Sequence, residues 1–403
     1  MKVCQVAPYV TYPPRMGGDH RTHGLMKEFP EFGDSVVRYC QGGSPAMYRS
    51  FDLRRWVTIA DGYEERRHLH PIHELPKAPM LLGYPNLFAS RSLRVASDGL
   101  DKMLADADVV VVREPWQLPY ILDHAKPAAP VVYSSHNVET ERFGDIDQPL
   151  FVDRVQKRVA ALERRAVEET DATICTGERD ANVYRDRYDP GGPIIVAPNG
   201  AYENDLREHS PGSQNARRIR RKYDLPQDAT VSLFMGSNYR PNVEAADVVV
   251  EIARDFHGRD DGFHFLVLGD VGNVLDDRDL PPNVTTTGYV EEDFEAHFDA
   301  ADIALNPMLS GGGTNIKQIE YFARSLPVIS TPFGVRGIEV RDGEQIVVAD
   351  VEAMPDAIET LAGNANLRER VGESGRLLAA ERYTWEASSR TVRTQFRELF
   401  GPF

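Results

Sequence analysis

Short apolar runs alternate with charged, amphipathic stretches along the first half of the chain. "KVCQVAPYV", "ADVVVVREP", "PVVYSSHNV", "DATICTG" and "PIIVAPNG" are rich in β-branched residues and end in turn-forming residues, which predicts strands. "PPRMGGDHRTHG" reads as the loop after the first strand, and "LMKEFPEF" as the helix behind it. "FVDRVQKRVAALERRAVEET" carries apolar residues at helical spacing and predicts a long helix. Strand followed by helix, repeated, predicts a parallel sheet covered by helices.

After Gly200 the polar stretch "YENDLREHSPGSQNARRIRRKYDLPQ" breaks the pattern. A second alternating series follows: "TVSLFMGS", "AADVVVEIARDF", "FHFLVLGD", "VTTTGYV", "DFEAHFDAADIALNP", the glycine-rich run Ser310–Gly334, and "QIVVAD". The chain closes on the amphipathic "YTWEASSRTVRTQFRELF". The expected architecture is α/β, with two facing, Rossmann-like, doubly wound domains. One spans residues 1–200 and the other 201–380; a C-terminal helix in 381–403 packs back on the first. In such a pair, ligands are expected at the carboxyl ends of the strands, in an inter-domain cleft.

Composition narrows the function. The net charge is −16, so nucleic acid is excluded as a partner. Only eight of the 46 basic residues are lysines. An acidic, lysine-poor surface predicts a halophilic protein that stays soluble in high salt. Cys4, Cys40 and Cys175 are too few and too scattered for a disulfide framework or a zinc site, and read as buried thiols of a reducing compartment. With no signal peptide and no apolar run long enough for a bilayer, the expected location is the cytoplasm, with peripheral contact at the inner face of a membrane still open to it.

The common nucleotide and hydrolase fingerprints are absent: no G-x-x-x-x-G-K-[ST], no G-x-G-x-x-G after a strand, no G-x-S-x-G. Three glycine loops stand at strand ends instead: Gly17–Gly18, Gly236–Ser237 and Gly311–Gly313. The third opens a helix around Thr314. Glycines let a backbone approach a ligand closely, and free amides at a helix start favour an anion such as a diphosphate. Thr314 can cap that helix or donate to the same anion. Lys317, one turn in, can neutralise phosphate, and Glu320 can accept hydrogen bonds from ribose hydroxyls. His68, His70 and His73 lie close in sequence but lack a fourth ligand, so no metal site is expected.

"FMGSNYRPNVEAA", "TGYVEEDFEAHFDAADIALNPMLSGGGTNIKQIEYFARSLPVISTPFGVRGI" and "APNGAY" resemble the C-terminal half of retaining glycosyltransferases of family 4 (glycosyl transferases group 1), which have the two-Rossmann-domain GT-B fold. "PPRMGGDHRTHGLMKEF" and "SSHNVE" resemble their N-terminal half. The resemblance implies a hexosyltransferase with an acceptor-binding first domain and a nucleotide-sugar-binding second domain. Its substrates would be a UDP- or GDP-sugar and a glycan, lipid-linked or small-molecule acceptor, with no metal or other cofactor required. It implies a catalytic role for His136 at the donor sugar and an approach of Gly18 to the diphosphate or acceptor. It also implies nucleotide or diphosphate contacts for Gly236, Ser237, Gly313, Thr314 and Asn315, and a ribose contact for Glu320.

Two departures stand out. The first acid of the family's E-x7-E motif is Gly312 here, which makes this a glycine-rich variant. In place of the Arg and Lys usual after the second glycine loop stands "SNYRPN", with Arg240 as the nearest cation and Lys317 to share its work. Two other readings fit the same fold: a UDP-sugar 2-epimerase, which needs no acceptor, and a non-catalytic GT-B partner subunit.

Overall fold

The structure, a computed structural model, describes residues 1–144, 151–257, 262–276 and 278–403. The chain divides into two compact units, Met1–Asn199 with Trp385–Phe403, and Gly200–Thr384.

The first unit is built on eight strands: β1 Lys2–Ala7, β2 Ser35–Gln41, β3 Trp56–Ala60, β4 Tyr63–His68, β5 Val109–Arg113, β6 Val131–Ser134, β7 Ala172–Cys175 and β8 Ile194–Val196. They lie in the order β3-β4-β2-β1-β5-β6-β7-β8. Every pairing is parallel except β3 with β4. Alternate residues of β1 and β5 feed two different cores: Cys4, Val6, Val110 and Val112 one, Val3, Val109 and Val111 the other. Burial of both faces is why these strands read as unbroken apolar runs.

The second unit carries six strands: β9 Thr230–Met235, β10 Phe263–Leu268, β11 Val284–Thr286, β12 Ile303–Asn306, β13 Val328–Ser330 and β14 Val347–Val348. All are parallel, in the order β11-β10-β9-β12-β13-β14. In each unit the order reverses beside the first strand, between β1 and β5 and between β9 and β12. Such reversals open a crevice at the carboxyl ends of the strands.

Five helices matter below: α1 Gly17–Gly24, α2 Val152–Glu168, α3 Arg240–His257, α4 Ile316–Ala323 and α5 Trp385–Phe400. Here one expectation fails. "GGDHRTHG" is helix α1 rather than loop, whereas most of "LMKEFPEF" is turn, with a 3-10 turn at Pro30–Phe32. Asp19 fixes the start of α1 by accepting from the amides of Arg15 and Met16, which offsets the poor intrinsic propensity of two glycines.

Helix α5 belongs to the first unit. Trp385 lies so close to Gly24 that a Cβ there would stand 2.4 Å from the indole. Arg393 pairs with Asp34 at 2.5 Å, and Phe396 packs edge-on against Phe29. In "PMLLGYPNLF", Leu81 and Leu82 lie outside the described side chains. Tyr84 and Leu87 pack beside Trp116 and Phe143. No helix among the described residues is long and apolar enough to cross a membrane.

Candidate functional site

In the second unit the glycine loops after β9 and β12 meet at the start of α3. A Cβ on Gly236 would stand 3.0 Å from the Asn242 side chain. Asn242 donates to the Ser237 carbonyl (3.1 Å) and to its Oγ (3.2 Å). Its Oδ1 accepts from Lys317 Nζ at 2.6 Å. Lys317 is buried, lies 4.5 Å over the Phe234 ring, and touches Met308 Sδ at 3.4 Å. Burial pulls its pKa down to about 7. Arg240 is exposed and donates to Glu244 at 2.8 Å; Glu244 in turn accepts from Ser310 Oγ. Gly236, Ser237, Arg240 and Lys317 therefore gather around α3, with Asn242 as the hub.

The third glycine loop is shaped by left-handed backbone at Gly311 (φ 121°) and Gly313 (φ 65°). Helix α4 starts behind it with Asn315 at the cap position, and Asn315's side chain caps no amide. Asn315 donates instead to Asn306 Oδ1 (3.2 Å) at the end of β12. Asn306 is fully buried, and its Nδ2 reaches Gln318 Oε1, Ser330 Oγ and the Gly334 carbonyl at 2.8–3.1 Å. One asparagine thus ties the helix start to β13 and the turn after it. The side chain of Thr314 takes no part in capping, and no group among the described residues accepts from the amides of Gly312 and Thr314. A diphosphate could take both.

Glu320 sits one turn further along α4, half-buried, 3.8 Å from Arg324. Burial raises its pKa; Arg324 opposes this and Glu295 adds to it. Arg324 is held by Glu295 through two bonds of 2.8 and 2.6 Å, so it does not close a short ion pair onto Glu320. That carboxylate keeps acceptor capacity for a ligand.

In the first unit, α1 brings Gly18 against two buried side chains. A Cβ on Gly18 would lie 2.5 Å from Arg113 Nη2 and 3.4 Å from His136 Nδ1. Only glycine fits. Arg113 ends β5, donates to Tyr9 Oη at 2.9 Å, and leaves Nε and Nη1 without a hydrogen bond among the described residues. His136 Nε2 is also buried without a partner among the described residues. Burial and the positive field of Arg113 hold His136 well below its usual pKa, so its ring is neutral. Glu139 makes no bond to His136: its carboxyl oxygens are buried without a hydrogen-bond partner among the described residues, and Arg142 stands 3.5 Å away. Arg21 holds the backbone just before His136, donating to the Ser135 and Ala197 carbonyls (3.1 and 2.8 Å) and to Asn199 Oδ1 (3.1 Å).

His68, His70 and His73 do cluster, with His73 Nε2 3.3 Å from His68 Nδ1. Among the described residues no group of three His, Cys, Asp or Glu side chains is placed to hold a metal. All three cysteines are buried free thiols.

Two sequence families match this chain, "Glycosyltransferase Family 4" over residues 17–203 and "Glycosyl transferases group 1" over residues 229–364. The sheets, the paired units and these matches define a glycosyltransferase of two-domain Rossmann-like fold. The chain belongs to the family 4, group 1 glycosyltransferases. Among solved structures it is similar to a sucrose-phosphate synthase from Thermosynechococcus elongatus, with 13% identity, TM-score 0.75 and 99% of both chains covered. It is similar also to Anabaena HepE, solved with UDP and with UDP-glucose, with 12% identity, TM-score 0.69, and 99% of this chain and 100% of that one covered. A curated relative, an uncharacterized 44.6 kDa protein of the cps region in Klebsiella pneumoniae, is 34% identical over 68 residues. That match spans 17% of this chain and 18% of the relative's length.

Proposed function

We propose that the protein moves a sugar from a UDP- or GDP-sugar to a glycan, lipid-linked or small-molecule acceptor, with retention of anomeric configuration. The observation that carries this reading is the pair of unengaged amides, Gly312 and Thr314, at the start of α4 with Glu320 one turn behind. Cleaving a sugar–diphosphate bond puts negative charge on the leaving phosphate, and preorganised amides stabilise that charge most as it develops. Gly236, Ser237, Gly313, Thr314 and Asn315 line the diphosphate and sugar, Lys317 and Arg240 supply positive charge, and Glu320 holds the ribose.

In the first unit, Gly18 and the neutral His136 serve the acceptor and the transfer step. His136, with an unpaired nitrogen, can donate to or accept from a sugar hydroxyl without becoming charged. Neither metal nor further cofactor is required in this scheme. HepE's complexes with UDP and UDP-glucose lend support to a uridine donor through shared fold alone. We place the protein in the cytoplasm, with an acceptor that can bring it to the inner face of a membrane.

The test is transfer from UDP- and GDP-sugars to a panel of acceptors, with the product anomer read by NMR. A retained anomer supports the reading and an inverted one contradicts it. Conversion of UDP-N-acetylglucosamine without any acceptor would identify an epimerase instead. Binding of a nucleotide sugar with no turnover on any acceptor would identify a non-catalytic subunit.

A further inference from the structure

Arg336 lies in the turn after β13, more than twenty residues beyond the glycine loop. Its Nη2 donates to the carbonyls of both Gly311 (2.8 Å) and Gly313 (3.0 Å). The guanidinium carbon lies 4.1 Å from the centre of the Phe333 ring, a cation–π contact that helps hold it in place. The next residue closes the same contact: a Cβ on Gly337 (φ 79°) would stand 3.0 Å from Thr314 Oγ1.

A planar trans peptide points its carbonyl and the following amide in opposite directions. Pinning the Gly311 carbonyl therefore fixes the Gly312 N–H, and pinning the Gly313 carbonyl fixes the Thr314 N–H, both facing away from the guanidinium. Neither amide has an acceptor among the described residues, and the neighbouring amides of Gly311, Gly313 and Asn315 have none there either. Gly311 and Gly313 can adopt either hand of backbone at little cost, so without a restraint the two peptides could flip and turn carbonyl oxygens toward an approaching phosphate.

We infer that Arg336 is a positioning residue: it grips the outer carbonyls of the glycine loop so that the Gly312 and Thr314 amides stand ready for the leaving diphosphate, without touching it. This rests on the reading of the loop as a diphosphate site. It also offers a reason why a loop with glycine at 312 instead of an acid can hold one shape.

The test uses the full chain and four probes, UDP with uridine and GDP with guanosine, with affinities read by calorimetry. For whichever base the wild type prefers, Arg336→Met is expected to weaken the diphosphate at least tenfold and the nucleoside less than twofold. Arg336→Lys is expected to lose nearly as much, because an ammonium on a flexible stem, not held over Phe333, does not aim two N–H groups at the two carbonyls in fixed directions. Should either variant fold poorly, Phe333→Leu, which removes the platform alone, is expected to weaken the diphosphate three- to fivefold. Equal losses for diphosphate and nucleoside would mark a general structural role and overturn the inference. Lys restoring affinity to within twofold would mark a direct phosphate contact and overturn it too. If the wild type binds neither UDP nor GDP, the donor-site reading itself fails and the inference falls with it; if it binds one and Arg336→Met binds equally well, the inference alone fails.

Discussion

Lys317 Nζ stands 2.6 Å from Asn242 Oδ1, so this lysine, just behind the third glycine loop, is anchored to the helix that begins after the second. Burial lowers its pKa to about 7, and above that pH the free protein holds it largely neutral. A diphosphate arriving nearby favours the charged form. Binding of UDP or GDP at pH 8 is therefore expected to take up close to one proton. Calorimetry in buffers of different ionisation enthalpy measures this uptake, and Lys317→Met is expected to abolish it.

Acid should weaken the fold before it alters the chemistry. Burial holds His23 and His73 down to about 3, and His136 well below its usual range. Such groups contribute stability above about pH 6.5, their unfolded value, and lose it as pH falls, because the unfolded chain then binds more protons. At pH 5 each costs on the order of 1–2 kcal/mol. Urea unfolding at pH 7 and pH 5 is expected to show the drop, and His73→Gln to reduce it. Since His136 stays neutral, kcat/KM should be flat from pH 6.5 to 8 as far as this residue governs it.

The charge balance makes a separate prediction. With 62 acidic against 46 basic residues, self-repulsion is relieved by salt. Activity is expected to hold or rise between dilute buffer and molar KCl; loss of activity in molar KCl would remove the halophilic reading.

Gly24→Ala tests the seat of α5. A methyl there would overlap the Trp385 ring, and overpacking of this kind costs about 1–3 kcal/mol. The expected result is a lower melting temperature, with α5 more open to proteolysis.

The parts of the site carried by unusual residues were legible in the sequence. Glycine loops at strand ends stand out because few other roles need them, and Glu320 follows at helical spacing. What the sequence concealed are ordinary polar residues whose work depends on distant partners. Asn242 meets Lys317 across 75 positions, Asn306 ties together three segments, and Arg21 reaches Ala197 across 176. No local pattern marks them. Helix α1 was missed for a related reason: a pair of glycines argues for loop, and only Asp19's bonds to two preceding amides argue otherwise.

The central claim is that the second unit holds a nucleoside diphosphate sugar between the glycine loop and Glu320. The most direct measurement is a thermal-shift series on the full chain with UDP-, GDP- and dTDP-sugars, run beside Glu320→Ala. A ligand that binds only the folded protein must raise its melting temperature. One base is expected to do so in the wild type. In Glu320→Ala, loss of hydrogen bonds from a charged acceptor, worth about 1.5–3 kcal/mol, should weaken affinity roughly 10- to 100-fold and remove most of the shift. No shift with any of the three bases, or the same shift and affinity in Glu320→Ala, would contradict the account.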